Sequence, residues 1–302
     1  MTGIVLALVA LAGFSANIMC ARIGGARMSM GAGYFVAVSV NVVFAALLLV
    51  GELVMRSQPL QWNGSGAVLF ALAGFFSTYL GRWFMYESVA RLGPAKTSAF
   101  QVSSPLFTFV IALAFLGETL TLQALAGMIA TALGLLLISL AGARTQPLAD
   151  GAPHPGSWLR SAWLVGFGSS AAYAVGNVMR GAGVREWDEP IAGVLIGAIA
   201  GIACHLAFTR GHGAMLRGLR TAHRVGLALF VLSGILTVVA QGCVIAAMRF
   251  APVSVVALIT LCTPLVVFPV SYFFLGNDEG INVRTLAGAA LTLSGIALIV
   301  LH

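Results

Sequence analysis

Arg82 stands in the stretch "FFSTYLGRWFMYESVA" (75–90), where Phe75, Tyr79, Arg82 and Tyr86 recur at i, i+4, i+7 and i+11. In an α-helix that spacing predicts two phenols and a guanidinium on one face. Three more polar stripes follow: Thr97, Gln101, Ser104 and Thr108; Gly166, Ser170, Tyr173, Asn177 and Arg180; and Thr237 with Gln241, to which Asn17 adds an amide. Hydroxyls, amides, phenols and one arginine suit a small neutral or zwitterionic molecule held by hydrogen bonds and at most one ion pair. Each side chain has a plainer use as interhelical hydrogen-bond glue, and Tyr86, near a helix end, also suits an interfacial aromatic belt. Glu87 lies about 140° around the helix from Arg82 and is better placed for Arg91 at i+4. Arg82 is therefore expected to meet a carbonyl, a carboxylate on another helix, or a ligand.

Covalent and metal chemistry has no matching residues. The sequence contains no HExxH, GxSxG or P-loop pattern; four of its five histidines fall in links or at the terminus, and His205 stands alone. Cys20, Cys204, Cys243 and Cys262 lie in apolar runs without CxxC spacing and read as small buried hydrophobes. No enzyme, metal or cofactor is expected. Asp and Glu are absent from the middles of the apolar runs, which argues against a proton-coupled exporter of lipophilic cations, where such a carboxylate attracts the cation and carries the proton. One Arg82 is also too little cationic charge for a phosphorylated substrate.

The elements that would position these residues are membrane helices. Of 302 residues 60% are hydrophobic and 8% charged, and the mean hydropathy is +1.00, so the solvent is mostly lipid. The net charge of +7 is scattered in ones and twos between apolar runs, as in membrane loops, and nucleic acid is rejected as a partner. A bilayer core takes roughly 20 apolar residues per helix. Ten runs fit, near 3–21, 32–54, 66–90, 94–116, 121–142, 160–180, 190–208, 225–248, 252–275 and 282–301. A Gly-, Pro- and Ala-rich link at 143–159 divides them into 1–142 and 160–302, five runs each.

These halves echo one another. "VSSPLFTFVIALAFLGE" (102–118) returns as "LCTPLVVFPVSYFFLGN" (261–277); Arg91 and Pro94 match Arg249 and Pro252; Gly127, Thr131 and Gly134 match Gly288, Thr292 and Gly295; and Asn17 matches Asn177 more thinly. Five is odd, so the second copy must enter the membrane inverted, a design suited to alternating access around a central midplane cavity. The expected fold is an all-α polytopic membrane protein of ten transmembrane helices in two inverted five-helix repeats. Pro105 and Pro264, three turns into equivalent helices, are expected to kink them and act as hinges, each freeing a carbonyl that could take a substrate ammonium. Gly193, Gly197 and Gly201 are assigned to close packing within the bundle, so a monomer is expected, with a homodimer as the alternative.

With this repeat and the "P…FLGE" helix followed by "LAG", the chain resembles the drug/metabolite transporter superfamily, specifically its EamA-type exporters, over its whole length. The second copy departs from the motif at Gly276-Asn277-Asp278. Its overall character is similar to the YddG-type amino acid exporters. That resemblance implies a basket of ten helices in the bacterial inner membrane exporting amino acids, aromatic or otherwise apolar. A multidrug or cation–proton antiporter of the same superfamily is the alternative. Cavity residues on this reading are Asn17, Tyr79, Arg82, Tyr86, Gln101, Ser104, Tyr173, Asn177 and Gln241. Eleven Lys or Arg in odd-numbered links against four in even-numbered ones, Arg82 apart, put both termini in the periplasm by the positive-inside rule, whereas relatives are often drawn with cytoplasmic termini.

Overall fold

The computed structural model describes residues 1–56, 59–92, 94–119, 121–142, 158–208, 217–219, 222–267, 270 and 283–300. The linker up to residue 157 and the Gly276-Asn277-Asp278 motif lie outside them. Among the described residues all regular structure is helical, as lipid demands, since only intrahelical bonds can satisfy every backbone N–H and C=O there.

In chain order the elements are α1 (Thr2–Gly25), α2 (Met30–Met55), α3 (Gly64–Ala73), a π-helical segment (Gly74–Gly81), α4 (Arg82–Leu92), α5 (Pro94–Gln101), α6 (Ser104–Leu116), α7 (Leu122–Gly142), α8 (Trp158–Glu186), α9 (Pro190–Phe208), α10 (Arg224–Ala247), α11 (Val253–Leu261) and α12 (Val283–Val300). Among the described residues, seven stretches are long and apolar enough to cross a bilayer: Thr2–Gly25, Gly31–Met55, Gly64–Met85, Thr97–Leu116, Leu122–Leu140, Pro190–Phe208 and Arg224–Ala247. Prolines open α5 and α9, where a missing N–H costs little, and Asn63 caps α3 by accepting from Gly66 N at 3.0 Å. Gly117 ends α6 at φ 62°, a left-handed turn open to glycine.

Three expectations change. Residues 74–81 wind as a π-helix, so Phe75, Tyr79, Arg82 and Tyr86 are not placed on one face by α-helical periodicity. The run expected to end at 180 continues to Glu186, which puts Arg180 and Arg185 inside α8 rather than in a link. The two matched prolines do not kink continuous helices. Each sits one residue into a second helix after a full break, at 102–103 and at 262. The breaks are wound alike: Ser103 N donates to Phe100 O at 2.9 Å, and Cys262 N, 159 residues on, to Ile259 O at 3.1 Å.

The chain forms two compact units, and each draws on both sequence halves. The first comprises 80–178 and 251–302, with Met1; the second comprises 2–79 and 179–250.

Within the second unit, α10 packs on α1, α2 and α9, and α3 packs on α9. Six of its close approaches form three pairs separated by 160 residues. A Cβ on Gly33 would lie 2.3 Å from the Phe230 ring, and one on Gly193 would lie 2.6 Å from the Phe70 ring. Gly66 lies under Trp187, and Gly226 under Arg27; Gly74 meets the Gly197 backbone, and Gly234 the Ala37 carbonyl. Adding 160 to Gly33, Phe70, Gly66, Arg27, Gly74 and Ala37 gives Gly193, Phe230, Gly226, Trp187, Gly234 and Gly197. Each of these contacts therefore occurs twice with the halves exchanged.

One end of this unit gathers charge at and beyond the ends of the apolar stretches. Arg56 reaches Glu189 at 2.5 Å and Glu52 at 3.3 Å, and Arg249 pairs with Asp188. The Glu189 hydrogen bond and charge raise the Arg56 pKa above its already high value. Asn63 Nδ2 donates to the Glu186 carbonyl at 3.0 Å, tying the start of α3 to the end of α8.

Within the first unit, α7 and α12 run antiparallel through another reciprocal set. Gly127 faces the Gly295 carbonyl and Gly134 that of Gly288, each leaving 2.6 Å for an added Cβ. Thr131 and Thr292, 161 residues apart, return their hydroxyls to Gly127 O and Gly288 O, both at 2.8 Å. Small residues let two backbones approach where lipid supplies no hydrophobic drive for association.

Candidate functional site

In the first unit the break after α5 gathers polar side chains on α8. Gln101 ends α5 and donates from Nε2 to Ser169 Oγ at 2.6 Å; Ser169 Oγ in turn donates to Gly81 O at 2.9 Å. Ser170 donates to Phe100 O at 2.6 Å, a carbonyl that also takes Ser103 N and Ser103 Oγ. This close approach of α8 to α5 needs Gly166, where a Cβ would lie 2.7 Å from the Phe100 ring. Tyr173 points its hydroxyl at Met85 Sδ, 4.0 Å away, and Asn177 is half-buried on α8. Arg82, also half-buried, is the first residue of α4 and directly follows Gly81. Ser104 and Pro105 are buried at the head of α6, and the Ser104 carbonyl accepts Thr108 Oγ1 at 2.9 Å. The side chain of Tyr86 lies outside the described residues.

The freed carbonyls follow from chemistry. Proline lacks an N–H, so Pro105 leaves Gln101 O without its α-helical donor, and Pro264 does the same to Thr260 O. In the second case Thr263 Oγ1 takes the place at 2.8 Å, which corrects the expectation of a carbonyl open to a substrate ammonium there.

A carboxylate is buried in this unit. Glu118, closing the "FLGE" motif, accepts from Val253 N at 2.6 Å, from Ser254 N at 3.4 Å and from Ser254 Oγ at 3.2 Å. It caps the first turn of α11, which opens after Pro252, where orphan N–H groups and the helix dipole favour negative charge. Replacement by Gln keeps one acceptor and loses the charge, and is expected to lower stability by about 1–2 kcal/mol. A melting temperature in detergent unchanged from wild type would contradict that role.

In the second unit Asn17 Oδ1 accepts from Ser233 Oγ, whose backbone carbonyl takes Thr237 Oγ1 at 2.8 Å. Gln241, one turn beyond Thr237, is half-buried, and its Nε2 is buried without a partner among the described residues. Tyr79 packs between Phe75 and Phe208, with ring centroids 6.1 and 5.6 Å apart. Arg180 donates to Ser77 Oγ, and Tyr34 donates to Thr78 O at 3.2 Å while meeting the His205 ring edge-on at 5.1 Å. The predicted site residues thus fall into two sets. Gln101, Ser104, Tyr173, Asn177 and Arg82 lie in the first unit, whereas Asn17, Tyr79 and Gln241 lie in the second. Ser169, Ser77, Tyr34 and Glu118 were not predicted; Ser169 adjoins the striped Ser170, and the others pair with residues far along the chain.

Both sets offer hydroxyl, amide and phenol groups with few charges, which is equipment for reversible hydrogen bonding rather than bond making. Among the described residues no three His, Cys, Asp or Glu side chains come together to hold a metal ion.

A family model described as "EamA-like transporter family" matches the chain twice, at residues 1–140 and 160–301. No curated protein matches. Of 29 solved chains that match, one titled only "Crystal structure of protein" is 16% identical, with a TM-score of 0.67 over 97% of this chain and 98% of that one.

Proposed function

Because the chain belongs to the EamA-like transporter family, we propose that it exports small neutral or zwitterionic metabolites, amino acids foremost, across a bacterial inner membrane by alternating access. Family membership makes it a multi-pass membrane transporter of the drug/metabolite transporter superfamily rather than an enzyme. In the proposed fold ten helices form two inverted repeats. The carrying observation is the paired contact set, Phe70 on Gly193 with Phe230 on Gly33, and Gly127 on Gly295 with Gly134 on Gly288. Inverted repeats give one sequence two similar gated states, because each half can take the conformation of the other. The breaks at Pro105 and Pro264 are the proposed hinges.

The substrate reading rests on the polar groups. Gln101, Tyr173 and Asn177 in one unit, and Asn17 and Gln241 in the other, bind neutral polar groups at little desolvation cost. The buried carboxylate that a cation–proton antiporter would want is present as Glu118, but α11 already engages both its oxygens.

Variants in reconstituted proteoliposomes test this. Gln101→Ala and Gln241→Ala are expected to reduce amino acid counterflow about tenfold, the loss of one or two hydrogen bonds. Their melting temperatures should stay within about 3 °C of wild type. Parallel loss of flux and of folded protein would sink the assignment of these amides to substrate.

A further inference from the structure

The two repeats do not keep one spacing. It is 160 residues from Gly66 and Gly226 through Ser77 and Thr237, but 158 at Arg91 and Arg249 and at Pro94 and Pro252. Between residues 77 and 91 the first repeat therefore carries two more residues than the second carries between 237 and 249. The π-helical segment Gly74–Gly81 overlaps the start of that interval. In π winding each N–H reaches back five residues instead of four, so each turn holds about one more residue, and eight residues make about two turns. The surplus and the winding agree. The second repeat's counterpart, 234–241, is plain α-helix inside α10.

Side chains take up carbonyls of the wide turns. Tyr34 Oη donates to Thr78 O at 3.2 Å, and Ser169 Oγ donates to Gly81 O at 2.9 Å while receiving Gln101 Nε2 at 2.6 Å. Ser77 Oγ, inside the segment, accepts from Arg180. The residue that leaves the segment is Arg82. Depending on spacing, its counterparts in the second repeat are Ala240 or Gly242, neither of them basic. Insert and arginine thus occur together in one repeat and are absent together from the other.

We infer that the π-helical insert is a specificity device: it aims Arg82 to receive the carboxylate of a zwitterionic substrate, with Ser169 as the positioning residue that fixes the Gly81 carbonyl immediately before it. The inference rests on the proposed transport of amino acids. A guanidinium offers a planar, two-pronged donor matched to a carboxylate, and in a half-buried site such a charge-assisted pair outweighs a neutral hydrogen bond. Two residues inserted in π winding change the angle at which the next residue leaves the helix, giving one repeat a group that the other lacks.

The test uses the full chain in proteoliposomes, with counterflow of labelled L-leucine or L-phenylalanine competed by the unlabelled amino acid or by the matching amino alcohol, which lacks the carboxylate. Wild type should prefer the amino acid, and Arg82→Gln should lower that preference at least about tenfold by weakening the amino acid alone. Ser169→Ala should raise KM for the amino acid several-fold, leaving the maximal rate and the amino-alcohol competition in place. Arg82→Lys should restore part of the preference, and it replaces Arg82→Gln if that variant does not fold. Undiminished preference in Arg82→Gln, or in Arg82→Lys where it stands in, would overturn the inference while leaving amino acid transport intact. So would an equal loss of both competitors in Ser169→Ala. Failure of wild type to exchange any amino acid would overturn the transport reading and this inference with it.

Discussion

Gly74→Val should leave little folded protein in detergent. A Cβ on Gly74 would stand 2.2 Å from the Gly197 carbonyl oxygen and 2.7 Å from Gly197 Cα. Both are backbone atoms, so no rotamer change relieves the clash, and α9 must separate from the π-helical segment. Overpacking a well-filled core costs about 1–3 kcal/mol where side chains can move. Backbone against backbone should exceed that range. The counterpart Gly234→Val meets one backbone atom, the Ala37 carbonyl oxygen at 2.7 Å, and the Val40 side chain at 2.8 Å, so it should cost less than Gly74→Val and still exceed that range. Gly31→Ala, with nothing within 4 Å of the added carbon, should be neutral or stabilising by up to about 1 kcal/mol. Fluorescence-detected gel filtration after heating ranks all three, and a Gly74→Val protein as stable as Gly31→Ala would refute the close approach.

Phe70→Ala and Phe230→Ala should cost the same within about 1 kcal/mol, because each ring covers an equivalent glycine, Gly193 and Gly33, with Phe70 also meeting Trp187. Both rings are fully buried, Phe70 against Gly183 and Gly193, and Phe230 against Gly24 and Gly33. In a water-soluble core such truncations cost about 3–5 kcal/mol. Here the released ring enters lipid rather than water, so the transfer contribution shrinks and the loss is mostly packing, about 2–3 kcal/mol. Equilibrium unfolding in mixed detergent micelles measures both. A gap of more than about 2 kcal/mol between them would mean that the two halves do not share this packing.

Composition made the membrane class legible, because lipid leaves no alternative to apolar helices for a chain so poor in charge. The repeat was legible where rare residues carry it: Pro105 and Pro264, and the Gly and Thr positions of α7 and α12. It was not legible in α2, α3, α9 and α10. There the register rests on Gly66, Phe70 and Gly74 against Gly226, Phe230 and Gly234, common residues in apolar runs, and the spacing then slips from 160 to 158. The same slip hid the π-helical segment, since any periodicity argument assumes one winding throughout. Of the site, Gln101, Tyr173 and Asn17 came from polarity alone. Their partners Ser169 and Ser233 did not, because a serine is short enough to bond its own helix and gives no outward sign of facing another. The Glu118 cap joins residues 135 positions apart, a pairing that no local pattern encodes.

The central proposal is that this transporter carries small neutral or zwitterionic metabolites, amino acids foremost. Counterflow tests it most directly: purified protein in liposomes loaded with one unlabelled amino acid at a time, and uptake of the labelled counterpart with no imposed proton gradient. Saturable uptake, strongest for an apolar or aromatic amino acid, is the expected result. No uptake of any amino acid, with a pH gradient then driving flux of a lipophilic cation, would contradict it and assign the protein to cation–proton antiport.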